Sequence, residues 1–550
     1  MTACRSIRRR RWAALGTALL ALLLTAPPAA AAAYVPISGA GSTWSFNALD
    51  AWRRNVVQYG LDVSYKGVGS TTGRNEFKDG TVDFAASDIP YGVQDGNNYD
   101  PPPARGFAYM PDTAGGTTFM YNLNIGGQRV TNLRLSGAVI AGIFTGVITR
   151  WNDPAIARDN PGLTMPAIQI IPVVRSDGSG ATAQFTQWML ATQPSYWNGY
   201  CAKVGRSPCT QTSAYPVLAN SAMVAQAGDL GVSGYVSQQQ AVGAIGYVEY
   251  SYAIETGFPV AKMLNPAGYY TEPTAGHVAV SLLKAQINMD ASNPNTYLTQ
   301  NLSQVYVNPD PRSYPLSSYS YMILPTTSAN GLGPDKGNTL GDFGKYLLCQ
   351  GQNQVDALGY SALPINLVQA GFDQLRRIPG ATIPNINIAT CNNPTFSANG
   401  TNTLATTDPY PAACDHIGAT QCTTGTGGAR NQPTAGKPGT TGGAGGNGSG
   451  GSSRTGAGGS AAGANGSAAA SSSAAAYCDP DTGCAASGSG AGAAAALASA
   501  VPLASANSLG DGLQVALMVV AALLLVAIVL TPPLISQLIT RRRARRGDVR

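Results

Sequence analysis

The chain has 550 residues, enough for two or three domains, and only 11% of them are charged. Its formal charge of +6 sits mainly at the ends, with five arginines within residues 5–11 and six within residues 541–550. The near-neutral middle excludes a nucleic-acid role. With only two histidines and no C-x-x-C spacing, a zinc or redox centre and any cofactor are also not expected.

In chain order, residues 1–33 read as an export signal: Arg8-Arg9-Arg10-Arg11, an apolar Trp12–Leu24, then an Ala-rich exit. The consecutive arginines leave a twin-arginine route open. No cysteine follows the apolar run, so an N-terminal lipid is not expected. Gly39-Ala40-Gly41-Ser42-Thr43-Trp44 opens the body before a helix predicted over residues 46–58. A strand is expected over 61–65, followed by the loop Gly67-Val68-Gly69-Ser70-Thr71-Thr72-Gly73 with Arg74 beside it, read as facing solvent. A second strand over 81–85 runs into Ala86-Ser87-Asp88. Helices are expected over 135–144, 281–290 and 340–350. This alternation predicts α/β folding, and about 360 residues of body require two lobes.

The centre of the pattern is residues 168–190. Ile168, Ile170, Ile171, Val173 and Val174 form a buried-strand run, followed by Arg175-Ser176-Asp177-Gly178-Ser179-Gly180 and a helix from about Ala181. A strand, a small polar loop and a helix start make an anion site, because the first N–H groups of a helix lack internal partners. The two glycines admit close backbone approach, Ser179 adds a hydroxyl, and Arg175 adds a charged fork that Asp177 can orient. The same residues also suit a plain capped turn.

Eight cysteines follow the export signal, an even number in an oxidising compartment. The economical pairing is Cys201 with Cys209, Cys349 with Cys391, Cys414 with Cys422, and Cys478 with Cys484, although sequence alone leaves other connectivities open. From about residue 424 to 508, Gly, Ala, Ser and Thr dominate, which predicts a tether of roughly 50 Å root-mean-square span. Leu513–Leu530 is uncharged, and the apolar region through residue 539 is long enough to span a bilayer. Residues 540–550 are basic, which places them in the cytoplasm by the positive-inside rule. A cleavable surface-anchor signal is the competing reading, disfavoured because no LPxTG-like motif precedes the helix.

Taken together, GAGSTW (39–44), VSYKGVGSTTG (63–73), GTVDFAASDIP (80–90), LSGAVIAGIFTGVITRWNDPAIARDNPG (135–162), RSDGSGAT (175–182) and GAIGYVEYSYA (243–253) resemble the phosphate-binding proteins of bacterial ABC phosphate importers. YPLSSYSYMIL (314–324) and ALGYSALP (357–364) extend the likeness. The resemblance implies a two-lobed α/β periplasmic-binding-protein fold of the Venus-flytrap, type II kind, closing on one phosphate. One lobe would comprise 34–118 and 262–395, the other 119–261, with a Cys-containing extension over 396–423. The ligand contacts it implies are Thr43, Trp44, Ser70, Asp88, Arg175, Asp177, Ser179, Gly180 and Ala181. Thr43, Ser70 and Ser179 would offer hydroxyls, while Trp44, Gly180 and Ala181 would offer amides. Asp88 would accept the proton still carried by phosphate. The implied protein is a monomeric receptor, not an enzyme, delivering phosphate to an ABC permease. The alternative is a surface interaction or sensing protein that keeps this fold with a changed ligand or partner. Ala181 stands where a Thr is usual, removing one hydroxyl at a cost of about 1 kcal/mol.

Overall fold

The first lobe's sheet is built from strands β1 (Ile37–Gly41), β2 (Val63–Gly67) and β3 (Phe84–Ser87), with β1 central and parallel to both neighbours. The coordinates are a computed structural model describing residues 34–293, 295–397 and 399–434. The expected export signal, the tether beyond residue 434, Cys478 with Cys484, the apolar span and the basic tail lie outside the described residues. Among the described residues, no helix is long and apolar enough to cross a membrane.

Strand β4 (Phe107–Tyr121) joins the lobes. Its first part pairs antiparallel with a strand over Ser317–Pro325, through Gly116↔Ser317, and that strand pairs with β3. From Thr117 onward β4 pairs instead with a strand over Ala244–Glu249, through Thr117↔Glu249. The second lobe continues from there in parallel: β5 (Ile171–Arg175), β6 (Val224–Gln226) and β7 (Ala244–Glu249) lie in the order β6-β5-β7-β4. Strand β8 (Val260–Leu264) adds to β4, and the Ser317–Pro325 strand is β9. The result is a two-lobed α/β fold whose two sheets share one fully buried strand.

Helices follow the strands, as the alternation predicts. They are α1 (Phe46–Asn55), α2 (Ser70–Asp79), α3 (Gly137–Phe144), α4 (Gly180–Thr192) and α5 (Gly228–Val236), with α6 (Ala275–Leu282), α7 (Pro334–Leu348) and α8 (Ile365–Leu375) later. One expectation is overturned. The helix predicted over 281–290 is α6, which starts earlier because Thr274 caps it by accepting the His277 N–H at 3.3 Å. Residues 286–287 pair with 300–301 as a short ribbon instead.

Two boundaries also shift. Strand β8 crosses the expected break at 261/262, and its pairing with Arg134-Leu135 and Tyr270-Thr271 holds the chain in the second lobe past that point. Residues 424–434, assigned to the tether on composition, are docked on the second lobe. Thr426 is fully buried and accepts the Val260 N–H at 3.1 Å, and the Gly427 N–H donates to Glu272 Oε2 at 3.0 Å. Small residues here permit close packing, so the composition that suggests disorder serves contact. The extension before them runs from Phe396, in the first lobe's core, to the second lobe. There Arg134 donates to the Cys414 and Ala419 carbonyls at 2.9 and 2.8 Å, and Lys262 binds Asp415 at 2.8 Å.

Disulfides link Cys201–Cys209, Cys349–Cys391 and Cys414–Cys422, with sequence separations of 8, 42 and 8. In the chain-entropy account the longest loop stabilises most, so replacing Cys349 and Cys391 by Ser is expected to cost about 3 to 4 kcal/mol. Either short loop is expected to cost less. Denaturant unfolding of the three paired variants checks the order.

Candidate functional site

Every functional element lies at the carboxyl end of a parallel strand, where open α/β sheets present their loops to a ligand. Strand β1 delivers Ser42, Thr43 and Trp44, β2 leads to Ser70 at the start of α2, and β3 ends at Asp88. Across the cleft β5 delivers Arg175, Asp177 and the α4 start, β6 leads to Asp229 at the start of α5, and β7 ends at Glu249. The lobes meet directly: the Thr71 N–H donates to the Gly178 carbonyl at 3.0 Å, and Gln184 Nε2 donates to the Asp88 carbonyl at 2.9 Å.

Arg175 is 2% exposed. Its Nε and Nη2 donate to Asp177 Oδ1 and Oδ2 at 2.8 and 2.5 Å, the bidentate grip expected from their spacing. Nη2 also donates to Thr43 Oγ1 at 2.8 Å, and Nη1 pairs with Asp229 Oδ2. Burial works against this guanidinium's charge, but Asp229 and Asp177 outweigh it and hold the pKa above its ordinary value. The same pairing holds Asp177 below the usual carboxylate range, again against burial.

Asp88 is 2% exposed and is held from both sides. Ser42 Oγ donates to Oδ1 at 2.8 Å and Ser70 Oγ donates to Oδ2 at 3.1 Å. Burial pushes its pKa up to about 6, against the Ser42 hydrogen bond that favours the ionised form. The α4 N-terminus lies against this carboxylate. A Cβ at Gly180 would stand 2.5 Å from Asp88 Oδ2 and 2.7 Å from Ser70 Oγ, so only glycine fits. Gly69 is constrained twice over, by a φ of +89° and by Asp177 Oδ2 at 2.5 Å from where a Cβ would sit.

The expected residues thus fall into two adjoining groups. Thr43, Arg175 and Asp177 form one, and Ser70, Asp88 and Gly180 the other. Ser179 caps α4, its hydroxyl accepting the Thr182 N–H at 3.2 Å, and Ala181 is buried in the first turn. The Trp44 N–H is taken by Ser42 Oγ at 3.0 Å, while its ring packs edge-on against Tyr360. Arg74 does not face solvent as expected. It is 2% exposed and donates to Asp100 Oδ2 at 2.8 Å and to Ser87 Oγ at 2.9 Å, because Asp100 folds back over it.

Sequence reasoning missed four contributors. Ser42 lay inside a flagged motif, where its neighbour Thr43 drew the attention. Asp229 had no local signal beyond one acidic residue after a glycine. Glu249 is fully buried at the end of β7, in the quoted GYVEY stretch, and burial raises its pKa well above the usual carboxylate range. Asp95 sits on a hairpin (Gln94–Asp95 with Asn98–Tyr99) that clasps the opposite lobe: it pairs with Arg206 and accepts the Ser213 N–H at 3.1 Å. Arg206 lies inside the Cys201–Cys209 loop, its backbone N–H donating to the Cys201 carbonyl at 2.8 Å.

A family model and several known proteins match this chain. The family model described as a PBP superfamily domain matches residues 26–350. The phosphate-binding protein PstS of Xylella fastidiosa strain Temecula1 is 32% identical over 346 residues, covering 63% of this chain and 86% of that protein. The PstS protein of Pasteurella multocida is 30% identical, covering 60% and 88% respectively. A solved high affinity periplasmic phosphate-binding protein bound with phosphate aligns over 64% of this chain and 100% of its own, at 18% identity and a TM-score of 0.46. With a family model over residues 26–350 and relatives of 30–32% identity matched over most of their own length, the chain belongs to the PBP superfamily and, within it, to the phosphate-binding proteins.

Proposed function

We propose that this protein captures inorganic phosphate between its lobes and delivers it to an ABC-type importer. The observation that carries the reading is the buried Arg175, gripped by Asp177 at the entry to α4, with Asp88 and Ser70 of the other lobe set against Gly180 at that helix start. Arg175 and the helix start supply attraction for any tetrahedral anion. Asp88 supplies the distinction, since a carboxylate only accepts and so suits an anion that still carries a proton. Thr43, Trp44, Ser70, Ser179, Gly180 and Ala181 complete the proposed ligand shell.

The same reading gives the remaining sequence its place. On it residues 1–33 direct export, and the apolar residues 513–539, beyond the Gly-, Ala- and Ser-rich stretch, hold the monomeric body at the outer face of the membrane. Three disulfides favour an oxidising compartment. Calorimetric titration of residues 34–434 with phosphate, sulfate and arsenate tests the function. Phosphate and arsenate, both protonated at neutral pH, are expected to bind, and sulfate is expected to bind at least a hundredfold more weakly. Equal binding of all three, or of none, rejects the reading.

A further inference from the structure

A guanidinium has five N–H groups, and the protein engages four of those on Arg175. Three go to Asp177 and Thr43, as described. The fourth goes to Asp229, which is fully buried and makes two further bonds. Its Oδ2 also accepts the Thr43 hydroxyl at 2.6 Å, and its Oδ1 accepts the Glu249 N–H at 2.9 Å. Asp177 and Asp229 have different geometry. Asp177 grips the Nε–Nη2 edge and is steadied by the Gly228 N–H at 2.9 Å. Asp229 holds Nη1 and accepts from Thr43 on the opposite lobe, so one carboxylate joins groups of both lobes.

We infer that Asp229 is an internal anion that competes with the bound ligand for Arg175 and so sets its affinity. The inference rests on the phosphate reading above. An anion arriving at Arg175 must either displace the Asp229 carboxylate from Nη1 or lie beside it. In a site closed to water, either route sets like charge against like charge. Asp88 and Glu249 are close by, so the ligand meets one buried cation among several acids. Asp229 is a positioning residue in this scheme, acting on the ligand through Arg175 and Thr43.

The test uses the full chain and its Asp229→Asn variant, which keeps the shape and an acceptor for Arg175 while removing the charge. Phosphate affinity is expected to rise by about tenfold or more, the effect of removing one nearby buried charge, and sulfate affinity is expected to rise by a similar factor. The melting temperature of the unliganded variant is expected to fall, while the increase produced by phosphate grows. A merely structural residue would lower both the affinity and the phosphate-induced increase. Asp229→Ser, which keeps a short polar residue at the start of α5, is expected to change affinity in the same direction. Binding by the parent chain that both variants leave unchanged or weaken overturns the inference alone, as does loss of the fold in both. Failure of the parent chain to bind phosphate overturns the functional reading, and this inference with it.

Discussion

Asp88→Asn is expected to collapse the preference for phosphate over sulfate, by roughly tenfold to a hundredfold, the range for leaving a buried polar group wrongly paired. Both anions are tetrahedral and both are attracted to Arg175 and the α4 start, so neither feature separates them. Asp88 can, because its oxygens only accept while it is ionised. Phosphate brings a proton to that carboxylate and sulfate brings none. The amide of Asn offers N–H groups, so sulfate gains a partner while phosphate loses little. The parent chain carries an internal control in pH. Burial raises Asp88 to about 6, so the carboxylate is mostly ionised at pH 7.5 and mostly protonated at pH 5. Sulfate affinity is therefore expected to rise as pH falls through about 6, and the Asp88 part of that rise should vanish in the variant. Calorimetry with sulfate at pH 7.5 and 5 reads both effects. A variant with an unchanged phosphate-to-sulfate ratio would leave Asp88 with no role beyond the hydroxyls of Ser42 and Ser70.

Arg175→Met is expected to have the largest effect of any single change, on binding and stability together. Phosphate, sulfate and arsenate should all weaken by at least two orders of magnitude, since none of them discriminates through this group. The empty protein should also lose about 3 to 5 kcal/mol, the range for removing one partner from a buried ion pair. Here the change strands two carboxylates, Asp177 and the fully buried Asp229. Arg175→Lys keeps the charge but cannot grip both Asp177 oxygens, so it should fall between parent and Met. Denaturant unfolding and titration with the three anions separate the two losses. Retained phosphate binding in a folded Arg175→Met variant would place the anion site elsewhere.

Much of the site was legible because its parts announce themselves locally. A β-branched run, then Arg-x-Asp-Gly-Ser-Gly, then helix-forming residues reads locally as a strand, a polar loop and a helix start, which suits an anion site and a plain capped turn alike. Strand β5 and helix α4 appear within a few residues of the expected positions. Strand β4 was not legible. Asp112, Gly115, Gly116 and three threonines interrupt its apolar pattern, because a strand shared by two sheets has different neighbours on each half. Asp229 and Asp95 were invisible for another reason. Each acquires its role only through a partner more than 50 residues away, Arg175 for one and Arg206 for the other. The docked residues 424–434 show the limit of composition: small residues read as unable to form a core, yet Thr426 is fully buried and the Gly427 N–H donates to Glu272 Oε2.

The course of the C-terminal extension decides which half of the molecule carries the last described residues. Past Phe396 the chain leaves the first lobe, is fastened to Arg134 and Lys262, and makes its last described contacts at Thr131, where Gln432 O and Thr434 Oγ1 bond to it. Any pull transmitted through the following residues therefore arrives at the second lobe. By residue 434 the chain is thus fastened to the half that carries Arg175, and a load applied at that point is expected to be borne there before it reaches the half that carries Ser70 and Asp88.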